Sequence, residues 1–128
     1  MQHPHFVSPL DWHARLDEAL AAARADGKRV FLLCGRASCG GSRALVERTL
    51  AKDEIAEYTA QHFVLMASDA DAPAPEVAAL VDGLAQKAPT PVCIYLDGDG
   101  RLLGSTAGGR PPAVLLNDLL GIVARKLV

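Results

Sequence analysis

The chain has 128 residues, of which half are hydrophobic and 22% are charged, and its formal net charge at pH 7 is -2. This composition is typical of one globular domain with a single core and excludes an intrinsically disordered chain. Basic residues are interspersed with acidic ones and form no patch with aromatic residues, which argues against nucleic acid as a partner. We therefore expect one domain over residues 1–128, with a flexible segment at 1–7.

The N-terminal sequence lacks the marks of an exported protein. "MQHPHFVSPLDW" has no positively charged region followed by an apolar stretch, as a secretory signal has. No apolar run approaches the ~18 residues of a membrane-spanning helix. The sequence thus predicts a cytoplasmic protein with no membrane partner, and it leaves the oligomeric state open.

The first predicted element is a helix that begins at Ser8. Ser8 and Asp11 form an S-x-x-D capping box, with Pro9 at the first helical position. Apolar residues then recur at helical spacing over 12–23, and Gly27 follows the predicted end.

Strands and helices alternate after this helix. Apolar runs predict strands at 29–34, 63–67, 91–97 and 101–105, and the first of them, between Gly27 and Gly35, is typical of a strand buried on both faces. Apolar periodicity predicts four further helices, at 40–50, from 53 onward, at 75–86 and at 112–126. With the adjacent helices at 40–50 and from 53 onward counted as one helical segment, the resulting order is α-β-α-β-α-β-β-α.

This order predicts the topology of the sheet. The first two strands are joined through a helix and should be parallel, with a right-handed crossover. The "GDG" turn at 98–100 joins the last two strands into an antiparallel hairpin. We expect an α/β fold with a four-stranded mixed sheet, two parallel strands plus the hairpin, and helices on both faces.

The chain has three cysteines, Cys34, Cys39 and Cys93. An odd count is not a disulfide framework, and three cysteines are too few for a usual structural zinc site. Cys34 and Cys93 lie in apolar strands, where free cysteine usually packs as a small hydrophobic residue. The alternative is that one of them resolves a disulfide with Cys39, which requires Cα atoms within ~7 Å.

Cys39 has the sequence surroundings of a reactive thiol. It ends a turn and begins a helix, whose free N–H groups should lower its pKa below the ordinary ~8.5. The Ser42 hydroxyl, three residues later, can donate a hydrogen bond to the sulfur. Gly40 and Gly41 leave space around the sulfur, and Arg36 and Arg43 add positive charge nearby. All four residues further favour a thiolate. The alternative is an ordinary, unreactive loop cysteine.

Histidines suggest no metal site. His3 and His5 in "HPH" could chelate an ion weakly, but no third ligand accompanies them. We therefore expect neither a metal nor a cofactor.

Three segments, in this order, resemble the thioredoxin superfamily. "KRVFLLCGRASCGGS" resembles the strand, the turn and the C-x-x-C or C-x-x-S helix start. "ERTLAKDEIAEYTAQHFVLMASDAD" resembles the helix pair and second strand of a subgroup with an extended helix after the active-site cysteine. "APTPVCIYLDGDGRLLG" resembles the segment that holds the cis-proline and the hairpin. The resemblance implies a thioredoxin-like fold.

The resemblance also implies site residues. Cys39 matches the exposed first cysteine of the motif, Ser42 occupies the position of the second, and Pro91, preceded by Thr90, matches the cis-proline. By position, Cys39 and Ser42 would be catalytic. Four residues would contact the substrate: Gly40, Gly41, Thr90 and Pro91.

Three departures exclude the usual dithiol cycle. Ser42 removes the resolving thiol, Leu33 replaces a buried carboxylate that assists proton transfer, and Ser38 replaces a tryptophan. "CGGSRALV" also resembles the C-G-F-S start of monothiol glutaredoxins, which hold an iron–sulfur cluster with glutathione, but Gly41 replaces their aromatic residue.

Two functions follow. The first is monothiol exchange with protein thiols and disulfides or with glutathione, contributing to cell redox homeostasis through Cys39. The alternative is a non-catalytic module that binds a partner through the Cys39 loop, Thr90–Pro91 and the Gly108–Gly109 loop.

Overall fold

A mixed sheet of five strands organises the fold. The computed structural model describes residues 2–84 and 89–125. The strands are β1 Trp12–His13, β2 Arg29–Gly35, β3 Phe63–Asp69, β4 Val92–Leu96 and β5 Leu102–Ala107. Their order is β1-β3-β2-β4-β5, with β3 parallel to both β1 and β2, and β4 antiparallel to both β2 and β5. The predicted α/β architecture and mixed sheet are confirmed.

Helices cover both faces of the sheet. They are α1 Leu16–Asp26, α2 Gly40–Ala44, α3 Asp53–His62, α4 Pro75–Asp82 and α5 Pro112–Val123, and α2 continues as a π-helical segment over Leu45–Thr49. The π segment, α3 and α5 pack on one face, while α1 and α4 pack on the other. The predicted helix ends at 86 and 126 lie outside the described residues. No helix in the described ranges is long and apolar enough to cross a membrane.

Strand β2 explains why continuous apolar runs predicted the sheet. Its alternate side chains enter two separate cores, Phe31 and Leu33 on one face and Val30, Leu32 and Cys34 on the other. Because both faces are covered, no position of the strand from Arg29 to Cys34 is left for an exposed polar side chain.

The sheet has one strand more than predicted, and the predicted helix start at Ser8 is wrong. Trp12 lies in β1, where it pairs with Leu65, and α1 begins only at Leu16. The Ser8 hydroxyl accepts the indole N–H of Trp12 at 3.0 Å and the backbone N–H of Leu10 at 3.2 Å. Burying the indole, only 1% exposed, in the core outweighs the local capping signal.

The N-terminal segment contacts the core through aromatic rings, and its expected flexibility stays a prediction. Phe6 is buried in the core, and the ring of His3 stacks on Phe6 and meets the edge of Trp12. Burial, followed by the charge of His5, lowers the pKa of His3 to about 4. His3 is therefore neutral at physiological pH and packs as an aromatic ring.

The topology brings two loops together at one edge of the sheet. β2 ends at Gly35 and β4 begins at Val92, and because these strands are antiparallel, Cys34 pairs with Val92. The loop that leads from β2 into α2 therefore faces the loop that enters β4. This edge holds the predicted site.

Candidate functional site

Cys39 is the N-cap residue of α2. Four residues after the strand end at Gly35, its backbone is extended, and its Sγ accepts the backbone N–H of Ser42 at 3.4 Å. A sulfur at this position is close to the free N–H groups of the first helical turn, which stabilise negative charge. The chain thus places a partly exposed thiol where a thiolate is favoured.

Thr90 is the second partner of the sulfur. Its hydroxyl donates to Cys39 Sγ at 3.3 Å, and the protonated thiol donates to the Thr90 carbonyl oxygen at 3.6 Å. The peptide bond between Thr90 and Pro91 is cis. Thr90 can therefore bind the sulfur in either protonation state.

Arg36 and Asp71 extend this contact into a chain of polar groups. Arg36 Nη1 donates to Thr90 Oγ1 at 3.3 Å, and Arg36 Nε donates to Asp71 Oδ1 at 2.6 Å. A hydroxyl that accepts from Arg36 keeps its own single proton for the sulfur. The arginine thus orients Thr90 toward Cys39 and brings positive charge near it.

These contacts lower the pKa of Cys39 to about 7. Partial burial alone would raise this pKa, but the hydroxyls of Ser42 and Thr90 and the backbone N–H groups of Ser42 and Gly41 outweigh it by hydrogen bonding to the thiolate. About half of the Cys39 population is therefore ionised at neutral pH.

Two glycines allow the close approach that the site requires. A Cβ on Gly35 would lie 2.8 Å from Ser42 Oγ, and a Cβ on Gly41 would lie 3.2 Å from Pro91 Cδ and 3.8 Å from Cys39 Sγ. Gly40, in contrast, faces open space. Gly41 thus keeps a notch open between the thiol and Pro91.

Cys34 and Cys93 are buried on opposite faces of the sheet. Burial raises the pKa of Cys34 to about 11 and that of Cys93 to about 12, so both are protonated at neutral pH. All three cysteines are free. Burial and protonation favour a packing role for both, and a resolving role for either stays a prediction.

The structure brings most of the predicted site residues together, but Arg43 points away. Its guanidinium pairs with Glu47 at 3.6 Å and lies 5.8 Å from the centre of the Phe6 ring. Sequence reasoning missed Asp71, because a carboxylate in a polar loop after β3 gives no local signal of its partner. Only the parallel pairing of β2 with β3 brings Asp71 to Arg36.

The floor of the site is apolar. Leu33, at the position of the family's buried carboxylate, is 1% exposed and belongs to the core. Within residues 2–84 and 89–125, no three histidine, cysteine or carboxylate side chains are grouped to hold a metal ion. The chemistry that this arrangement supplies is that of a single activated thiol.

Comparisons with known proteins agree with this fold. A model of the thioredoxin-like family matches residues 11–98. A thioredoxin from Thermus thermophilus is 23% identical, with a TM-score of 0.73 over 90% of this chain and 88% of that one. No curated protein matches the chain by sequence.

Two further solved structures resemble the chain. A putative disulphide-isomerase from Bacteroides thetaiotaomicron is 20% identical, with a TM-score of 0.72 over 93% of this chain and 98% of that one. A disulphide isomerase from Xylella fastidiosa Temecula1 is 24% identical, with a TM-score of 0.63 over 91% and 92% of the two chains. At these identities the likeness concerns the fold.

Proposed function

This chain belongs to the thioredoxin-like family, and from that premise we propose that it exchanges thiols and disulfides through the single nucleophile Cys39. The observation that carries the proposal is the sulfur's set of donors, Ser42 N–H and Thr90 Oγ1, with a Cys39 pKa of about 7. A thiolate with a pKa near ambient pH combines ionisation with nucleophilicity.

The reaction has two stages. In the first, the Cys39 thiolate attacks one sulfur of a substrate disulfide, forming a mixed disulfide, while the other sulfur leaves as a thiolate and takes a proton from water. In the second, a glutathione thiolate attacks the Cys39 sulfur, the substrate leaves as a thiol, and a second glutathione releases Cys39. One disulfide and two glutathiones thus yield two thiols and one glutathione disulfide.

Ser42 and the glycines fit this scheme. Ser42 is fully buried and carries no second sulfur, so the mixed disulfide persists until an external thiol arrives. The notch at Gly41 gives a substrate sulfur access between Cys39 and Pro91. We propose Gly40, Gly41, Thr90 and Pro91 as its contact residues. The three free cysteines favour a reducing compartment, and we propose redox homeostasis in the cytoplasm as the setting.

The test measures the reactivity of Cys39 with pH. Mass spectrometry of iodoacetamide labelling should give a midpoint near 7 for Cys39. Turnover of bis(2-hydroxyethyl) disulfide with glutathione should be lost in Cys39→Ser and kept in the neighbouring control Ser38→Ala. A midpoint near the ~8.5 of a free thiol would contradict the proposal.

A partner-binding module is the second candidate, and one contact favours it. The Gly108 N–H donates to the carbonyl oxygens of Pro89 and Pro91, each at 2.9 Å, which draws the Gly108–Gly109 loop to Thr90–Pro91 beside the Cys39 loop. These three segments then offer one continuous surface. Binding of a partner that survives Cys39→Ser unchanged would support this function over exchange.

A further inference from the structure

An open groove of about 660 Å³ begins at Gly41, and the rest of its lining has no part in the chemistry described above. We name it the α2 groove. One wall runs from Gly41 in α2 through the π-helical segment to Lys52, just before α3, and the other runs from Gly109 to Pro112 at the start of α5. Gly41, which borders the thiol, is its first residue. A molecule held at Cys39 therefore has a direct path into this groove.

The charge of the α2 groove is one-sided. Arg48 and Lys52 are exposed at its far end, and in the part of the chain that the structure describes neither forms an ion pair. The third cation, Arg110, is already held by both carboxylate oxygens of Asp118 at 2.8 Å. The described lining includes no acidic side chain. Two positive charges thus lack an ion-pair partner among the described residues.

The floor of the groove is apolar. Leu45 is buried beneath it, and Ala44, Pro111 and Pro112 contribute aliphatic surface. An apolar surface that ends in two cations matches a peptide whose residues next to the cysteine are uncharged and whose next residues are acidic.

We infer that the α2 groove binds an acidic segment of the disulfide-bearing peptide that Cys39 attacks. The inference rests on the proposed exchange function and names its substrate class. Nine residue steps along the helical segments separate Cys39 from Arg48, or roughly 13 Å at about 1.5 Å per residue. An extended peptide covers that distance in about four residues, at 3.3 Å each. The recognised carboxylate therefore lies about four residues from the substrate cysteine.

The experiment compares peptides that differ only in charge. Each carries one cysteine in a mixed disulfide with 2-mercaptoethanol, and glutamate, glutamine or lysine four residues before or after it. We measure the rate constant of mixed-disulfide formation with the reduced full-length protein. Exposed charge pairs contribute modestly, so glutamate should exceed glutamine by about 1.5- to 5-fold and lysine should be slowest. Because salt screens such pairs, the preference should vanish at 0.5 M salt.

Charge reversal assigns the preference to the groove. Arg48→Glu with Lys52→Glu should reverse the order of the peptides, whereas Arg101→Glu with Lys28→Glu should keep it. Arg101 follows the β4–β5 turn and Lys28 precedes β2, both at the opposite end of the sheet, and the two double variants have equal net charge. Both variants should react alike with bis(2-hydroxyethyl) disulfide, which is neutral.

Each failure identifies the statement that is wrong. Equal rates for the three peptides, with normal reduction of the neutral disulfide, would contradict the inference that the α2 groove binds an acidic segment. The proposed exchange function would remain supported. If the Arg101→Glu and Lys28→Glu control also reverses the order of the peptide rate constants, the inference about the α2 groove is wrong. Net charge would then explain the preference. No reaction of Cys39 with any disulfide would overturn both.

Discussion

The low pKa of Cys39 depends on residues from three parts of the chain. Ser42 lies in the same helical turn, and its contribution to the pKa was readable from the spacing. Thr90 and Arg36 contribute through tertiary contacts, since the 3.3 Å bond from Arg36 fixes the Thr90 hydroxyl that binds the sulfur. The direction of the pKa shift was thus predictable from the local sequence, while the contribution of Thr90 required the tertiary structure.

Thr90→Val tests this contact at the level of one hydroxyl. A hydrogen bond to a charged group contributes about 1.5 kcal/mol or more, so its loss should raise the Cys39 pKa by about one unit. Alkylation at pH 7 should slow by about 5-fold, as measured by the pH dependence of iodoacetamide labelling. Arg36→Met should have a smaller effect in the same direction, because Arg36 acts through Thr90.

The matched control is Thr59→Val, which removes a buried hydroxyl that has no hydrogen-bond partner within residues 2–84 and 89–125 and lies on α3, away from the site in sequence. Its labelling profile should equal that of the wild type. If Arg36→Met and Thr90→Val combine additively, the two residues act independently and the proposed chain of contacts is wrong.

At the scale of elements, the sequence predicted best where burial was continuous. β2 and β4 read as strands because both their faces are covered, and no partner had to be known. The sequence did not predict β1, because a strand of two residues shows no periodicity. The S-x-x-D pattern at Ser8 also resembles a helix start. The π-helical segment was also unpredictable, since its apolar positions satisfy a helical period.

The Ser8→Ala variant tests the hydrogen bond that the Ser8 hydroxyl accepts from the Trp12 indole, in place of the predicted helix cap. The variant leaves the buried indole N–H of Trp12 without its acceptor, which should lower the free energy of unfolding by about 1–3 kcal/mol. Urea denaturation followed by Trp12 fluorescence would show this as a lower midpoint. Ser38→Ala, an exposed loop control, should leave the midpoint unchanged. A Ser8→Ala midpoint equal to wild type would mean that the hydroxyl only caps a local turn.

At the scale of the whole molecule, the fold places the three cysteines in two kinds of environment, which shift the thiol pKa in opposite directions. Cys34 and Cys93 lie in the two cores on either side of the sheet, whereas Cys39 lies at the edge where β2 and β4 meet. The cores raise the thiol pKa by desolvation, and the edge lowers it by hydrogen bonding. These opposite shifts should appear in the stability of the protein as a function of pH.

Between about pH 7 and 9, Cys39 is ionised in the folded protein and still protonated in the unfolded chain. The unfolded state binds more protons there, so the free energy of unfolding should rise with pH, by about 1 kcal/mol after allowance for solvent screening of this partly exposed group. Above about pH 9 the free energy of unfolding should instead fall with pH. The reason is that Cys34 and Cys93 ionise in the unfolded chain, while burial keeps them protonated in the folded state up to about pH 11 and 12.

Urea titrations of wild type and Cys39→Ser from pH 6 to 10 would separate the two effects. The Cys39→Ser variant should lose the rise and keep the alkaline fall, and Cys34→Ala should keep the rise and weaken the fall. If the rise persists in Cys39→Ser, another group titrates in that range and the low pKa assigned to Cys39 is wrong.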